Sequence, residues 1–366
     1  MNINFILPSF PWKPTGGFRV VYEYANNLAL KGHNITIIHP RYLPNKDNKQ
    51  RNYYFYLRKK VSYFRNLIPR PKIKWQAMDK KVKMVYVQEP TKHFIPDADI
   101  VIATLWATAE LVLDLPLSKG EKFYLIQGYE IWCGPEERVN STWLGPLYKI
   151  VIAKWLYEKG VELGVPANQM IHIPNGINHK LFKLNIPIDK RPNRVAMMYS
   201  NAIWKGGIDG INVLEMVKES FPMLKAILFS VDSRPKGLPK WIDFIQNPKL
   251  SFLVENIYNN SSIYLCPSLT EGWHLPPAEA MSCGCAVVST DIGGVRDYAI
   301  HGKTALLSPP QNPELLKQNI VYLLKNDDIR IKIAKSGYNH IQNFTWERST
   351  DLLEKVLNKS ITNQSF

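Results

Sequence analysis

The stretch Glu271-Gly272-Trp273-His274-Leu275-Pro276-Pro277-Ala278-Glu279-Ala280-Met281 decides how this chain is read. Adjacent prolines suit the first turn of a helix, where a missing N–H removes no intrahelical bond. Glu271 is therefore expected on the loop before a helix and Glu279 inside it. The backbone N–H groups of Gly272 to Leu275 then lie at a helix N-terminus facing a cleft, a place that favours anions and hydroxyls. The plainer alternative is a solvated loop and helix face carrying two unrelated glutamates.

Around this stretch, short β-rich runs alternate with helix-period segments, the pattern of parallel sheets covered by helices. Residues 4–7 read as a first strand, 8–17 as a loop, 18–31 as an amphipathic helix and 34–39 as a second strand. Strands follow at 83–88, 100–103, 123–127 and 171–173, whereas the apolar run 150–153 is too short for periodicity to separate strand from helix. A Pro- and Asn-rich link, 174–192, leads to strands at 194–199, 225–231, 262–266 and 286–289 and helices at 312–326, 329–343 and 346–358. The 366 residues suit two domains. Two doubly wound units in tandem imply a ligand cleft outside the carboxyl ends of their strands. Neither unit carries a G-x-G-x-x-G or G-x-x-x-x-G-K-[ST] loop, which argues against a dinucleotide dehydrogenase or a P-loop NTPase.

Glu271 to Met281 resembles the E-G-[FW]-x-L-P-x-x-E-A-M hallmark of the retaining glycosyltransferases of family 4. Other family-like segments occur in the expected order. Gly16-Gly17 follows the first strand, Asn175-Gly176-Ile177-Asn178 with Phe182 resembles an N-G-[VI]-[DN]-x-x-x-F entry to the second domain, and Gly293-Gly294-Val295-Arg296-Asp297 resembles a G-G-x-x-[DE] turn. The resemblance implies an α/β GT-B fold, with two Rossmann-like domains facing across a cleft. It divides the chain into an acceptor-binding domain at 1–180, a nucleotide-sugar-binding domain at 181–344 and a final helix at 345–366 returning to the first domain.

Carried over position by position, the resemblance assigns Glu279 to the ribose hydroxyls of a nucleotide sugar and Glu271 to the sugar ring and reacting face. A carboxylate accepts two hydroxyl bonds at once, which suits a ribose. Gly272, Trp273, His274 and Leu275 complete the donor side. Lys205, in the loop Tyr199 to Gly207, matches a lysine that neutralises the diphosphate leaving group. The arginine of that loop is replaced here by Tyr199 or Ser200, and Ser200 is placed with the donor. Members of the family often carry glycine where His274 stands, so His274 either narrows the donor-sugar pocket or is a structural helix N-terminal histidine. In the first domain a histidine is expected near 125–130, but the segment reads Leu125-Ile126-Gln127-Gly128-Tyr129-Glu130. Gln127 then takes a catalytic position, while Tyr129 and Glu130 join Gly16 and Gly17 on the acceptor side.

No metal or other cofactor is expected. Asp97-Ala98-Asp99 has the D-x-D spacing of metal-dependent glycosyltransferases but precedes a first-domain strand, so it reads as strand-entry acids. Cys283-Gly284-Cys285 lacks a second Cys/His pair to complete a four-ligand site, and four scattered cysteines do not make a disulfide framework.

Charge is the unusual feature, with 46 Lys+Arg against 31 Asp+Glu and a net of +15. Residues 41–83 carry 14 lysines and arginines against two aspartates, a net of +12 that leaves +3 for the remainder. A nucleic-acid groove over the whole molecule is therefore disfavoured. Tyr53, Phe55 and Tyr63 among Arg58, Lys59 and Lys60 suit an anionic membrane surface or a lipid-linked acceptor, single-stranded nucleic acid, or simply a solvated insert. The N-terminus shows no secretory pattern, and the apolar stretch 100–117 is broken by Glu110, Asp114 and Pro116, so a cytoplasmic protein, peripheral at the inner membrane face, is expected. The function expected is transfer of a sugar from a nucleotide diphosphate sugar to a glycan or lipid-linked hydroxyl. The alternatives are a nucleotide-sugar epimerase of the same architecture and a non-catalytic basic binding protein.

Overall fold

A computed structural model describes residues 1–43 and 73–362. Most of the basic segment, including its aromatic cluster, lies outside the described residues. Contacts group the chain into two compact units, one of residues 1–126, 130–150 and 356 onward, the other of 127–129 and 151–355. The expected junctions were 180/181 and 344/345.

The first sheet is built from β1 (Asn2–Ile6), β2 (Asn34–Pro40), β3 (Lys83–Val87), β4 (Ile100–Ala103), β5 (Glu121–Ile126), β6 (Tyr148–Val151) and β7 (Met170–His172), in the order β3-β2-β1-β4-β5-β6-β7. β1 pairs in parallel with both β2 and β4, Ile3 opposite Ile35 on one side and Ile100 on the other. Both faces of β1 are covered, so Ile3, Phe5 and Ile6 are fully buried, and Asn4 between them is buried too, its side-chain amide donating to the Pro96 carbonyl. The first helix, α1 (Gly16–Leu30), starts at the two glycines themselves, two residues earlier than expected, because extended Thr15 already serves as its N-cap. Two further helices matter below, α2 (Trp106–Leu113) and, after α3 (Glu136–Leu144), α4 (Lys154–Glu162).

The second sheet has the order β10-β9-β8-β11-β12-β13, with β8 (Arg194–Met198), β9 (Lys225–Ser230), β10 (Ile242–Gln246), β11 (Ile263–Cys266), β12 (Ala286–Thr290) and β13 (Ala305–Ser308). All its recorded pairings are parallel. β10 and β13 were not anticipated, since both are short edge strands: β10 is only partly buried, and β13 sits between a glycine turn and Pro309-Pro310. The core joins Val195, Met197, Leu265 and Val288 of the sheet to Leu214 and Val217 of α5 (Gly207–Ser220) and to the helices beyond β13. Each such side chain contributes about 1.5–3 kcal/mol by leaving water.

Strand order reverses between β8 and β11, which are neighbours although β9 and β10 separate them in sequence. Loops leaving the carboxyl ends of two such strands diverge to opposite faces of the sheet and leave a crevice between them. Lys205 lies on the loop after β8 and Glu271 on the loop after β11. Among the described residues no helix is long and apolar enough to cross a membrane.

Candidate functional site

The loop after β8 is shaped by glycines. Gly206 has φ +60°, and a Cβ there would come within 2.2 Å of the Pro267 carbonyl oxygen, while one on Gly207 would come within 2.6 Å of the Ser200 oxygen. The loop can therefore lie directly on the one after β11, an approach sealed by Leu269 N–H donating to the Trp204 carbonyl at 2.7 Å. Lys205 ends a short 3-10 turn at this contact, and its Nζ donates to Glu271 Oε1 at 2.6 Å. Both partners are largely enclosed, with side-chain exposures of 24% and 11%. The hydroxyl of Ser200 is already engaged, donating to Asp232 Oδ2 on the loop after β9 at 3.3 Å and accepting from Ala202 N–H of its own loop. Tyr199 is buried and donates to Asn201. Neither residue replaces the missing arginine as a cation.

Glu271 is held from behind by Gly294, where a Cβ would lie 2.8 Å from both the Cβ and the carbonyl oxygen of Glu271. The rest of the Gly-Gly turn is equally tight. A Cβ on Gly293 would meet the Trp155 ring, and Asp297 accepts from Lys154 N–H at the start of α4 and from His172 Nε2. Gly272 packs on Gln127, where a Cβ would approach the carbonyl oxygen to 1.9 Å. The Gln127 side-chain Oε1 is buried with no hydrogen-bond partner. Trp273, expected on the donor side, instead turns its indole inward against Tyr298 and Phe344 and anchors the loop.

After the helical turn α6 (Leu250–Phe252), which continues as a π-helix over Leu253–Tyr258, comes α7 (Leu275–Ser282), with Pro276 and Pro277 in its first turn. Its N-cap is His274, at φ 51° and ψ 81°. This left-handed conformation explains why glycine suits the position, and a histidine held there costs about 1–3 kcal/mol in backbone strain. The imidazole is enclosed. Nδ1 lies 3.1 Å from Cys266 Sγ, and Nε2 lies 3.3 Å from Glu271 Oε1, off the line of a hydrogen bond and without another partner. Burial drives the His274 pKa down to about 4, against the pull of Glu271 and helped by Lys205, so the ring is neutral at pH 7. Burial likewise pushes the Cys266 thiol up to about 11. Leu275 is buried at the first helical position, and Glu279 is buried one turn on, where its Oε2 accepts from Tyr258 OH at 3.2 Å.

The residues expected on the acceptor side divide differently. Gly16 and Gly17 form the exposed to half-buried first turn of α1. Tyr129 carries Lys159 Nζ 4.8 Å above its ring. Glu130 faces inward, its Oε2 accepting from Trp106 N–H at the start of α2 at 2.6 Å and from Tyr124 OH at 2.7 Å. That assignment is therefore corrected: Glu130 holds α2 in place. Asp97 pairs with Lys119, and Asp99 accepts from Asn2 N–H, as strand-entry acids do. Among the described residues no group of three or more His, Cys, Asp or Glu side chains could hold a metal ion. Cys266 is the participant that reading the sequence missed. A single cysteine ending an apolar strand carries no signal of its own.

Comparison with known proteins bears on the family and the fold. Residues 233–340, which include both Glu271 and Glu279, match the family described as glycosyl transferases group 1. An uncharacterized glycosyltransferase of Methanocaldococcus jannaschii is 30% identical over 103 residues, covering 28% of this chain and 29% of its own length. The N,N'-diacetylbacillosaminyl-diphospho-undecaprenol alpha-1,3-N-acetylgalactosaminyltransferase of Campylobacter jejuni is 24% identical over 192 residues, covering 49% of this chain and 48% of its own. The matched stretches thus span between under a third and about half of these relatives. Among solved structures, sucrose-phosphate synthase from Thermosynechococcus elongatus superposes with a TM-score of 0.74 at 17% identity, over 99% of this chain and all of that one. The fold is the GT-B fold.

Proposed function

Starting from a group 1 glycosyltransferase domain on a GT-B fold, we propose that this chain moves a sugar from a nucleotide diphosphate sugar to a hydroxyl of a glycan or lipid-linked acceptor, with retention of configuration. The observation that carries this reading is the largely enclosed Lys205–Glu271 pair at the strand-order reversal, with Glu271 four residues before the start of α7.

In this reading Glu279 takes the ribose hydroxyls, and the N–H groups leading into α7 face the donor. Lys205 neutralises the charge that develops on the departing diphosphate, where a fixed cation acts most strongly. Glu271 addresses the sugar ring and the positive charge that builds there. No metal ion is assigned a part, and the leaving phosphate itself takes the acceptor proton. The name of the Campylobacter relative, which specifies a diphospho-undecaprenol acceptor, supports a lipid-linked acceptor, and the net charge of +12 carried by residues 41–83 supports peripheral association with an anionic membrane surface.

The test is a thermal-shift screen against uridine, guanosine, adenosine and thymidine diphosphate sugars, followed by mass spectrometry of the products. A donor that raises the melting temperature and is consumed only with an acceptor present supports the proposal. Turnover of the donor without any acceptor points to epimerisation or hydrolysis instead.

A further inference from the structure

His274 occupies a backbone conformation that disfavours any side chain but glycine, and its imidazole is nonetheless packed between Cys266 and Glu271. Strain retained beside a charged pair calls for a reason. Cys266 Sγ is also bonded by Ser268 and Ser289, and the hydrogen on the 3.1 Å line between Sγ and His274 Nδ1 sits on one atom or the other. If Nδ1 carries it, the bare lone pair of Nε2 faces the Glu271 carboxylate at 3.3 Å, an arrangement in which two electron-rich atoms oppose each other. If the thiol carries it, S–H donates to Nδ1 and Nε2–H is turned towards the carboxylate side at 3.3 Å, off the line of a full hydrogen bond but with a positive hydrogen rather than a lone pair facing the negative oxygen.

We propose that Cys266 is a positioning residue: its thiol fixes His274 in the Nε2–H tautomer, so that the imidazole retains Glu271 when Lys205 turns to the leaving group. The same oxygen, Glu271 Oε1, is approached by Lys205 Nζ at 2.6 Å and by His274 Nε2 at 3.3 Å. When an anion draws Lys205 away, the shorter contact weakens and the imidazole becomes the remaining restraint. A neutral ring does this without competing for the anion. The consequence for catalysis rests on the function proposed above, because it assumes that Glu271 faces the sugar. The tautomer itself does not.

The experiment has two arms. Nitrogen-15 NMR of the full chain labelled in its histidine rings, with His274 assigned by loss of its signals in His274→Gln, reports the tautomer directly. The expected result is Nε2–H in the wild type, a shift towards Nδ1–H in Cys266→Ala and recovery in Cys266→Ser, whose hydroxyl can still donate. An Nδ1–H ring in the wild type overturns the proposal, whether or not the chain transfers a sugar. In the kinetic arm, Cys266→Ala should lower kcat about 5–10-fold, the loss expected for one weakened hydrogen bond, and leave inhibition by the free nucleoside diphosphate unchanged. Cys266→Ser should recover most of the rate. Equal losses in kcat and in nucleoside diphosphate affinity, or no rescue by serine, would reduce Cys266 to a packing residue.

Discussion

Lys205 and Glu271 stand 66 residues apart in sequence and are joined by a 2.6 Å hydrogen bond between the loops after β8 and β11. The pair exists because those two strands are neighbours in the sheet and because Gly206 lets the loops touch. Its two members have different tasks in the proposed reaction, so they should fail differently.

Replacing Lys205 with alanine should lower kcat about 10²–10³-fold, the loss seen when one donor to a developing anion is removed. Donor affinity should change less. Steady-state kinetics with the donor found in the screen separate the two, and full activity would show that the diphosphate is held elsewhere.

Glu279 is buried on α7 and also bonded to Tyr258. Glu279→Ala should weaken nucleoside diphosphate sugar binding about tenfold, a loss of about 1.4 kcal/mol. It should also lower the melting temperature, because Tyr258 OH loses its acceptor. Glu279→Gln keeps an acceptor for Tyr258 and should recover the stability more fully than the affinity. Calorimetric titration that gives the wild-type dissociation constant for both variants would remove the ribose assignment.

Gly294→Ala places a methyl 2.8 Å from the Glu271 backbone and Cβ. The carboxylate must shift, and a misplacement of about 1 Å at a reacting group can cost about 10²-fold. Turnover should fall by at least tenfold. Circular dichroism should still report a folded chain, since Gly294 lies in a loop.

Glu130 provides a pH test. Burial raises its pKa from 4.5 to about 7, partly offset by the bonds from Tyr124 and Trp106. The folded chain therefore binds this proton more tightly than the unfolded one. The associated stability is fully present below about pH 4.5 and is lost as pH rises through 7. Between pH 5 and 8 the wild-type melting temperature should decline more steeply than that of Glu130→Gln, whose neutral amide stands in for the protonated acid. Parallel curves would show that Glu130 ionises normally.

Much of this site was legible because its chemistry is concentrated in one run of residues. Pro276 and Pro277 place the start of α7, and with it the relation of Glu271 to Glu279, from local rules alone. Lys205 could be matched to its loop, but its bond to Glu271 depends on strand order, which periodicity does not reveal. Glu130 shows the opposite failure. A glutamate beside a tyrosine near a strand end has the right chemistry for binding sugar, and only the distant Trp106 N–H turns it inward. Trp273 is similar: the motif preserves an aromatic residue there, and the structure uses it to pack against Tyr298 and Phe344. His274 stood open between two readings because its left-handed backbone and its cysteine neighbour, eight residues earlier, are tertiary facts.

The Lys205–Glu271 bond also bears on how an anion would enter. Before any ligand arrives the lysine already has a counter-ion, so the pair itself contributes little net charge. Entry is then an exchange of one anion for another rather than attraction into an open positive field. Chloride or a single carboxylate offers no more than Glu271 already supplies, whereas a diphosphate brings two charges and several acceptors at once. The carboxylate thus acts as a placeholder that keeps casual anions out and yields only to a stronger one.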